Sequence, residues 1–196
     1  FFKQKTAYEL LRSLVGSGDV YKRQDVNRLA ADASADMLLF LWGDTAAPDA
    51  DGLREMMMYA QRPDVCAVTP LVVDARNRVL HAGYDILPDG TVRSRNRGLP
   101  VSAGGWHGMN RTSYNVTAVS PMCFLVRRNA FVPMAEGNSL AVDLAQWCMA
   151  RMQDGMRHVY TPHCVVKADA ESAFEGFRVK VPAGWYDPCA TGSKRA

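Results

Sequence analysis

The stretch Met37-Leu38-Leu39-Phe40-Leu41-Trp42-Gly43-Asp44 constrains the fold more than any other part of the chain. A continuous apolar run ends abruptly in Trp-Gly-Asp. A short apolar run bounded by turn formers is the pattern of a strand buried on both faces of an α/β sheet. Ligands of such sheets bind beyond the carboxyl ends of the strands. The run therefore delivers Asp44 to the edge where chemistry takes place. The alternative is that Asp44 only starts a turn, with Thr45 to Pro48 as a polar loop.

Helical and strand patterns alternate around this run. Asp25 is placed to cap a helix over Val26–Ser34. After the Asp44 loop, Pro48 with Asp49 or Asp51 opens a second helix. In it Leu53, Met56, Met57 and Ala60 recur at i, i+3, i+4 and i+7 as one apolar stripe. The adjacent methionines are core filler at helical spacing or an adaptable binding surface. Pro63-Asp64 breaks that helix and Val65–Thr69 reads as the next buried strand. Helix, strand, helix, strand in this order predicts a parallel sheet with crossover helices. Val79–Leu87 reads as a further strand, closed by the turn Pro88-Asp89-Gly90-Thr91.

A long polar stretch runs from Arg93 to Asn115. It contains Arg93, Arg95, Arg97, Trp106, His107, Arg111 and Tyr114 among glycines. Arginines with interleaved aromatics can contact phosphates or stack on rings; a mobile solvated loop is the plainer reading. Val116–Ser120 and Cys123–Val126 read as a strand pair interrupted by Pro121, or as one strand with a bulge, followed by a helical turn near Ala130–Met134. A last helix spans Leu140–Asp154, with Leu140, Leu144, Trp147, Cys148 and Met152 on one face and Gly155 at its C-terminal cap. His158–Pro162 and Cys164–Lys167 read as short strands. The tail from Asp169 is mixed in character and reads as a docking segment for something outside this stretch of chain.

Of the 196 residues, 23 are basic and 20 acidic. Residues 1–24 hold five of the basic side chains and two of the acidic ones, which leaves 18 of each sign beyond them. That balance offers no bulk attraction for nucleic acid, which is not expected as a partner, and none for a membrane. No apolar run approaches the roughly 20 residues needed to cross a bilayer. The five cysteines are scattered without a CxxC pair, and read as buried reduced thiols of a cytoplasmic protein. Residues 1–24 differ in character from the rest of the chain. FFKQKTAYE resembles the translated adapter peptide found at the head of metagenomic gene models. The segment is therefore expected to be an artefactual leader, with a helix permitted over Thr6–Val15 by its Leu and Ala content.

Three blocks then resemble the inverting family 2 glycosyltransferases, which have the GT-A fold. The first is Asn27 through Asp44, ending LLFLWGDT. The second is AVSPMCFLVRRNAF, Ala118–Phe131. The third is VDLAQWCMARMQDGMRHVYTPHCVV, Val142–Val166. LHAGYDILPDGT fits between them in spacing. The resemblance implies a partial GT-A, Rossmann-like mixed sheet flanked by helices, in a single domain over residues 25–168 followed by a tail over 169–196. It implies transfer of a sugar from a nucleotide-diphosphate donor to a hydroxyl of a glycan or lipid-linked acceptor, in bacterial surface polysaccharide synthesis. The setting would be the cytoplasm, at the inner face of the membrane, alongside other glycosyltransferase domains of the same chain.

The chemistry explains which residues are wanted. A divalent metal, Mn or Mg, stabilises the departing diphosphate, and a carboxylate deprotonates the acceptor hydroxyl. By the resemblance Asp44 is the metal ligand, Asp143 the base, and Trp42 and Gly43 flank the donor. His163 and Ser120 are candidates to line the cleft. The chain departs from the family pattern in several places. Trp42 and Gly43 stand where further acids are usual. Asp143-Leu144-Ala145-Gln146 keeps one acid of an acidic run, and Lys167-Ala168-Asp169 replaces a histidine region. These departures frame the alternative function, a catalytically silent GT-A-like module within a larger glycosyltransferase.

Overall fold

The computed structural model describes residues 8–13, 21–43, 45–135, 137, 139–169, 174 and 176–189, with side chains for all of these except 8–13, 21–25, 106 and 107. In chain order the elements are β1 (Tyr8–Ser13), α1 (Tyr21–Asp32), β2 (Met37–Trp42), α2 (Ala50–Ala60), β3 (Val65–Val73), β4 (Val79–His81), β5 (Tyr84–Ile86), β6 (Val92–Ser94), β7 (Tyr114–Val116), β8 (Cys123–Arg127), α3 (Leu140–Gln153) and β9 (Arg157–Lys167). Short 3-10 turns cover Trp106–Arg111 and Arg128–Ala130.

The main sheet has the order β1-β2-β8-β3-β9-β7, with β4 beside β3. β1 and β2 are parallel, as are β3 and β9. β8 is antiparallel to both of its neighbours, β2 and β3. β2, β3 and β9 therefore run in one direction and end at one edge. This is the expected mixed α/β domain, a sheet flanked by helices. Leu38, Leu39 and Leu41 are buried, as a central strand requires.

α3 is joined to the sheet through aromatic rings. Phe40 stacks on Phe124 at 4.6 Å and on Phe131 at 5.6 Å, and Phe131 lies 5.8 Å from Trp147. Trp147 Nε1 donates to the carbonyl of Val132 at 2.7 Å, so the indole is buried without an orphaned donor. α1 is tied to the same segment. Asn27 Nδ2 donates to the Met134 carbonyl at 3.0 Å, and the Met134 amide donates back to Asn27 Oδ1 at 2.8 Å. α2 begins at Asp49, whose carboxylate accepts the Gly52 amide at 2.7 Å. Its stripe is buried at Leu53, Met56 and Ala60; of the three methionines Met56 is core, Met57 is half-buried and Met58 is exposed.

Several segments differ from their sequence reading. Residues 8–13 form a strand, where Leu and Ala content permitted a helix, because they pair along the whole of β2 from Tyr8↔Met37 to Ser13↔Trp42. Tertiary pairing overrides local propensity here. The single strand read over Val79–Leu87 is two, and the halves pair in different sheets. Gly83 makes the break, with φ at +85 and a Cβ position that would lie 2.3 Å from Val116 Cγ1. Replacing Gly83 by Ala should cost about 2–3 kcal/mol, from left-handed strain and the clash together. Urea titration of the variant checks this, and a loss under about 0.5 kcal/mol would contradict the geometry.

The two short strands read at His158–Pro162 and Cys164–Lys167 are one strand, β9. Its register against β3 jumps from Pro70↔Thr161 to Leu71↔Val165, so Pro162, His163 and Cys164 bulge out. The four cysteines at 66, 123, 148 and 164 are buried and free.

The tail docks on this chain itself. The Val92 amide donates to the Phe177 carbonyl at 3.1 Å and the Val179 amide to the Gly90 carbonyl at 2.9 Å. Buried Asp187 accepts the Ile86 amide at 2.7 Å and the Thr117 hydroxyl. Trp185 Nε1 donates to the Ile86 carbonyl at 3.0 Å. Beneath this lies a buried ion pair, Arg95 with Asp85, whose Nε–Oδ1 distance is 2.5 Å.

Candidate functional site

The topology gathers the sequence candidates on one edge. β2 ends there at Trp42, the Ser120-Pro121-Met122 turn enters antiparallel β8 there, and β9 ends there at Lys167. α3 leads into β9 through the tight turn at Gly155, so the first turn of α3 lies toward the same edge. A cavity of about 20 Å³ lies between the end of β2, the turn before β8 and the start of α3. Its walls include Val26 and Leu29 of α1, Phe40 and Trp42 of β2, Pro121, and Leu140 of α3. At this volume it holds about one water.

Each candidate has a definite place. Trp42 is half-buried, its amide donates to the Met122 carbonyl at 3.0 Å, and its ring meets Phe174 edge-on at 5.3 Å. Gly43 has φ at +51. This left-handed residue lets the chain turn, and the Thr45 amide closes the turn on the Trp42 carbonyl at 3.0 Å. Asp44, the residue within that turn, lies outside the described residues. The Ala46 amide donates to the Lys167 carbonyl at 2.8 Å, fixing the loop to the end of β9.

Ser120 is fully buried. Its amide donates to Thr69 Oγ1 at 3.2 Å, and its hydroxyl accepts the Met122 amide at 3.2 Å. Thr69 Oγ1 in turn donates a hydrogen bond to the Cys123 carbonyl at 3.0 Å. Ser120 therefore holds the turn and does not face open solvent. Asp143 sits in the first turn of α3, where a carboxylate opposes the positive end of the helix dipole. It is only 2% exposed. His163 is exposed on the β9 bulge. Its amide donates to Thr161 Oγ1 at 3.3 Å, and Thr161 donates to Glu55 Oε1 of α2 at 3.1 Å. The bulge is thus pinned to α2. Two edge residues were not singled out in the sequence: Lys167, exposed at the end of β9, and Thr45, whose buried hydroxyl has no partner among the described residues. Their signal was position alone, one at a strand's end and one beside the Asp44 turn.

The other histidines belong to the core. His81 and His158 are buried, and burial pushes their ring pKa values down to about 3 and about 4. Among the described residues no group of three or more His, Cys, Asp or Glu side chains could hold a metal ion. Asp44, the ligand that the resemblance implies, lies outside those residues. No protein-family model and no curated protein sequence matches the chain.

Proposed function

We propose that the chain is a glycosyltransferase-like domain that transfers a sugar from a nucleotide-diphosphate donor to a hydroxyl acceptor in bacterial surface polysaccharide synthesis. One observation carries this reading. The end of β2, the turn before β8 and the first turn of α3 are distant in sequence and meet at the carboxyl edge of the parallel strands. That edge is where open α/β sheets bind ligands. In this reading Asp143 takes the proton of the acceptor hydroxyl as it attacks the anomeric carbon. Trp42 and Gly43 border the donor.

The test uses the full chain with nucleoside diphosphates and manganese in calorimetry, then nucleotide-sugar hydrolysis. Binding is expected, with hydrolysis lowered by about 10²–10⁴ in Asp143→Asn, the range of a lost general base. Absence of nucleoside-diphosphate binding would overturn the enzyme reading.

A second reading has its own observation. The Asp143 carboxylate is closed off from solvent, and the cavity beside α3 admits about one water. A silent GT-A-like module, structural or acceptor-binding, fits that burial. It predicts that Asp143→Asn changes the unfolding midpoint while leaving no hydrolysis to lose.

A further inference from the structure

We propose that the groove between α3 and the tail binds an extended acidic peptide segment of a partner protein. The groove has a volume of about 310 Å³, the size of a ligand site. Gln146, Met149, Ala150 and Gln153 line one wall, spaced i, i+3, i+4 and i+7 as one stripe of α3. Lys180, Val181 and Pro182 of the tail line the other. Both walls are held by bonds made outside the groove. The Cys148 carbonyl of α3 pairs with His158 Nε2 at 3.0 Å, and Trp147 is held at the Val132 carbonyl. The tail lies along β6 through the Val92–Phe177 and Val179–Gly90 bonds, and the Trp185 amide closes a turn on the Pro182 carbonyl at 3.0 Å. A groove fixed in advance loses little freedom when a partner enters it.

The chemistry of the walls selects the partner. Phe177 and Val179 bond toward the β5–β6 hairpin, with Thr91 opposite Arg178. By strand alternation the amides and carbonyls of Arg178 and Lys180 face away from it. An extended peptide can pair with that second edge, as peptides do with sheet edges, and Lys180 carries the edge to the groove. Across the groove Gln146 and Gln153 stand about 10 Å apart, seven residues at roughly 1.5 Å each. Their amides donate and accept, as a peptide main chain requires. Between them Met149 and Ala150, with Val181 and Pro182 opposite, give apolar ground for alternate side chains of the peptide. The Lys180 ammonium, exposed at the rim, is complementary to a carboxylate. Ala150, Gln153 and Pro182 are exposed too, so the groove is open. It would leave a small molecule largely in water, whereas a strand gains bonds along its length. Peptide capture here does not depend on sugar transfer at the strand edge.

The test is fluorescence anisotropy of the full chain with a labelled hexapeptide of alternating leucine and glutamate. A leucine–lysine hexapeptide, and the leucine–glutamate peptide N-methylated at alternate amides, are the controls. Saturable binding is expected for the first peptide, about tenfold tighter than for either control. Lys180→Glu should weaken it about tenfold, and Ala150→Tyr, which fills the groove, should abolish it. Both positions are exposed, so the thermal midpoint should not move in either variant. Arg54→Gln on α2 should change nothing. Failure of the leucine–glutamate peptide to bind, equal binding of either control, or indifference to Ala150→Tyr would overturn the proposal. So would a self-associated chain in sedimentation that Ala150→Tyr converts to monomer while no peptide binds, which would assign the groove to a second copy.

Discussion

Replacing Arg95 by Ala is expected to lower stability by about 3–5 kcal/mol, the usual cost of leaving a buried charge without its partner. For a chain of this length that is a fall of roughly 10 °C in the unfolding midpoint. Arg95 and Asp85 are both buried, with side chains 3% and 2% exposed. Beyond Asp85, Arg95 reaches the Cys189 carbonyl and lies over the Tyr114 ring at 4.8 Å. One guanidinium thus joins the β5–β6 hairpin, β7 and the tail. Burial raises the Asp85 carboxyl pKa even though Arg95 pulls it down. Without Arg95 the carboxyl should protonate more readily, so the loss should shrink at acid pH. The tail should also be released, and limited proteolysis within residues 177–189 reads that directly. Arg95→Met combined with Asp85→Leu should recover much of the loss, because it removes both charges together. A stability change under about 1 kcal/mol in Arg95→Ala would show that the pair does not hold the hairpin to the tail.

The second large effect is on pH. His81 Nδ1 accepts the Gly83 amide at 3.0 Å, which assigns the ring proton to Nε2, and Nε2 has no partner among the described residues. His158 Nε2 donates to the Cys148 carbonyl at 3.0 Å, and its Nδ1 is bare. A second proton would break the first hydrogen bond, and on His158 it would bury a charge with no acceptor. Both rings are therefore held neutral, with folded pKa values of about 3 and about 4 against 6.5 when unfolded. The unfolded chain binds more protons in that window. The stabilisation is complete above about pH 6.5 and is lost as pH falls toward 4. Two rings displaced by this much correspond to a loss on the order of 5 kcal/mol near pH 4, comparable with the whole stability of many domains. Urea titrations between about pH 7 and pH 4.5 measure it. A flat profile across that range would contradict the buried neutral rings. His158→Gln should remove about half of the slope, the His81 share remaining, even if it lowers the plateau.

Much of the architecture was legible because it rests on local pattern. The apolar run Met37–Leu41 is the buried strand β2, and the stripes of α2 and α3 face the core as their spacing requires. Asp49 caps α2 and Gly155 closes α3. These features arise from residues within a turn or two of one another.

What remained closed depends on partners far away in the chain. Val79–Leu87 alternates like one strand, and only the approach of Val116 to Gly83 divides it. The tail looked unattached because Asp187 finds its donors at Ile86 and Thr117. Asp143 matched a base by position, while its burial comes from packing at the start of α3. The charge count beyond residue 24 is balanced, yet folding buries Asp85 and leaves Arg76, Arg78 and Arg111 exposed. The sequence by itself determined the buried strand β2, the helices α2 and α3 and the balance of charge. Tertiary structure decided which side chains are buried and which charges share a surface, because burial and proximity arise only when distant segments pack together.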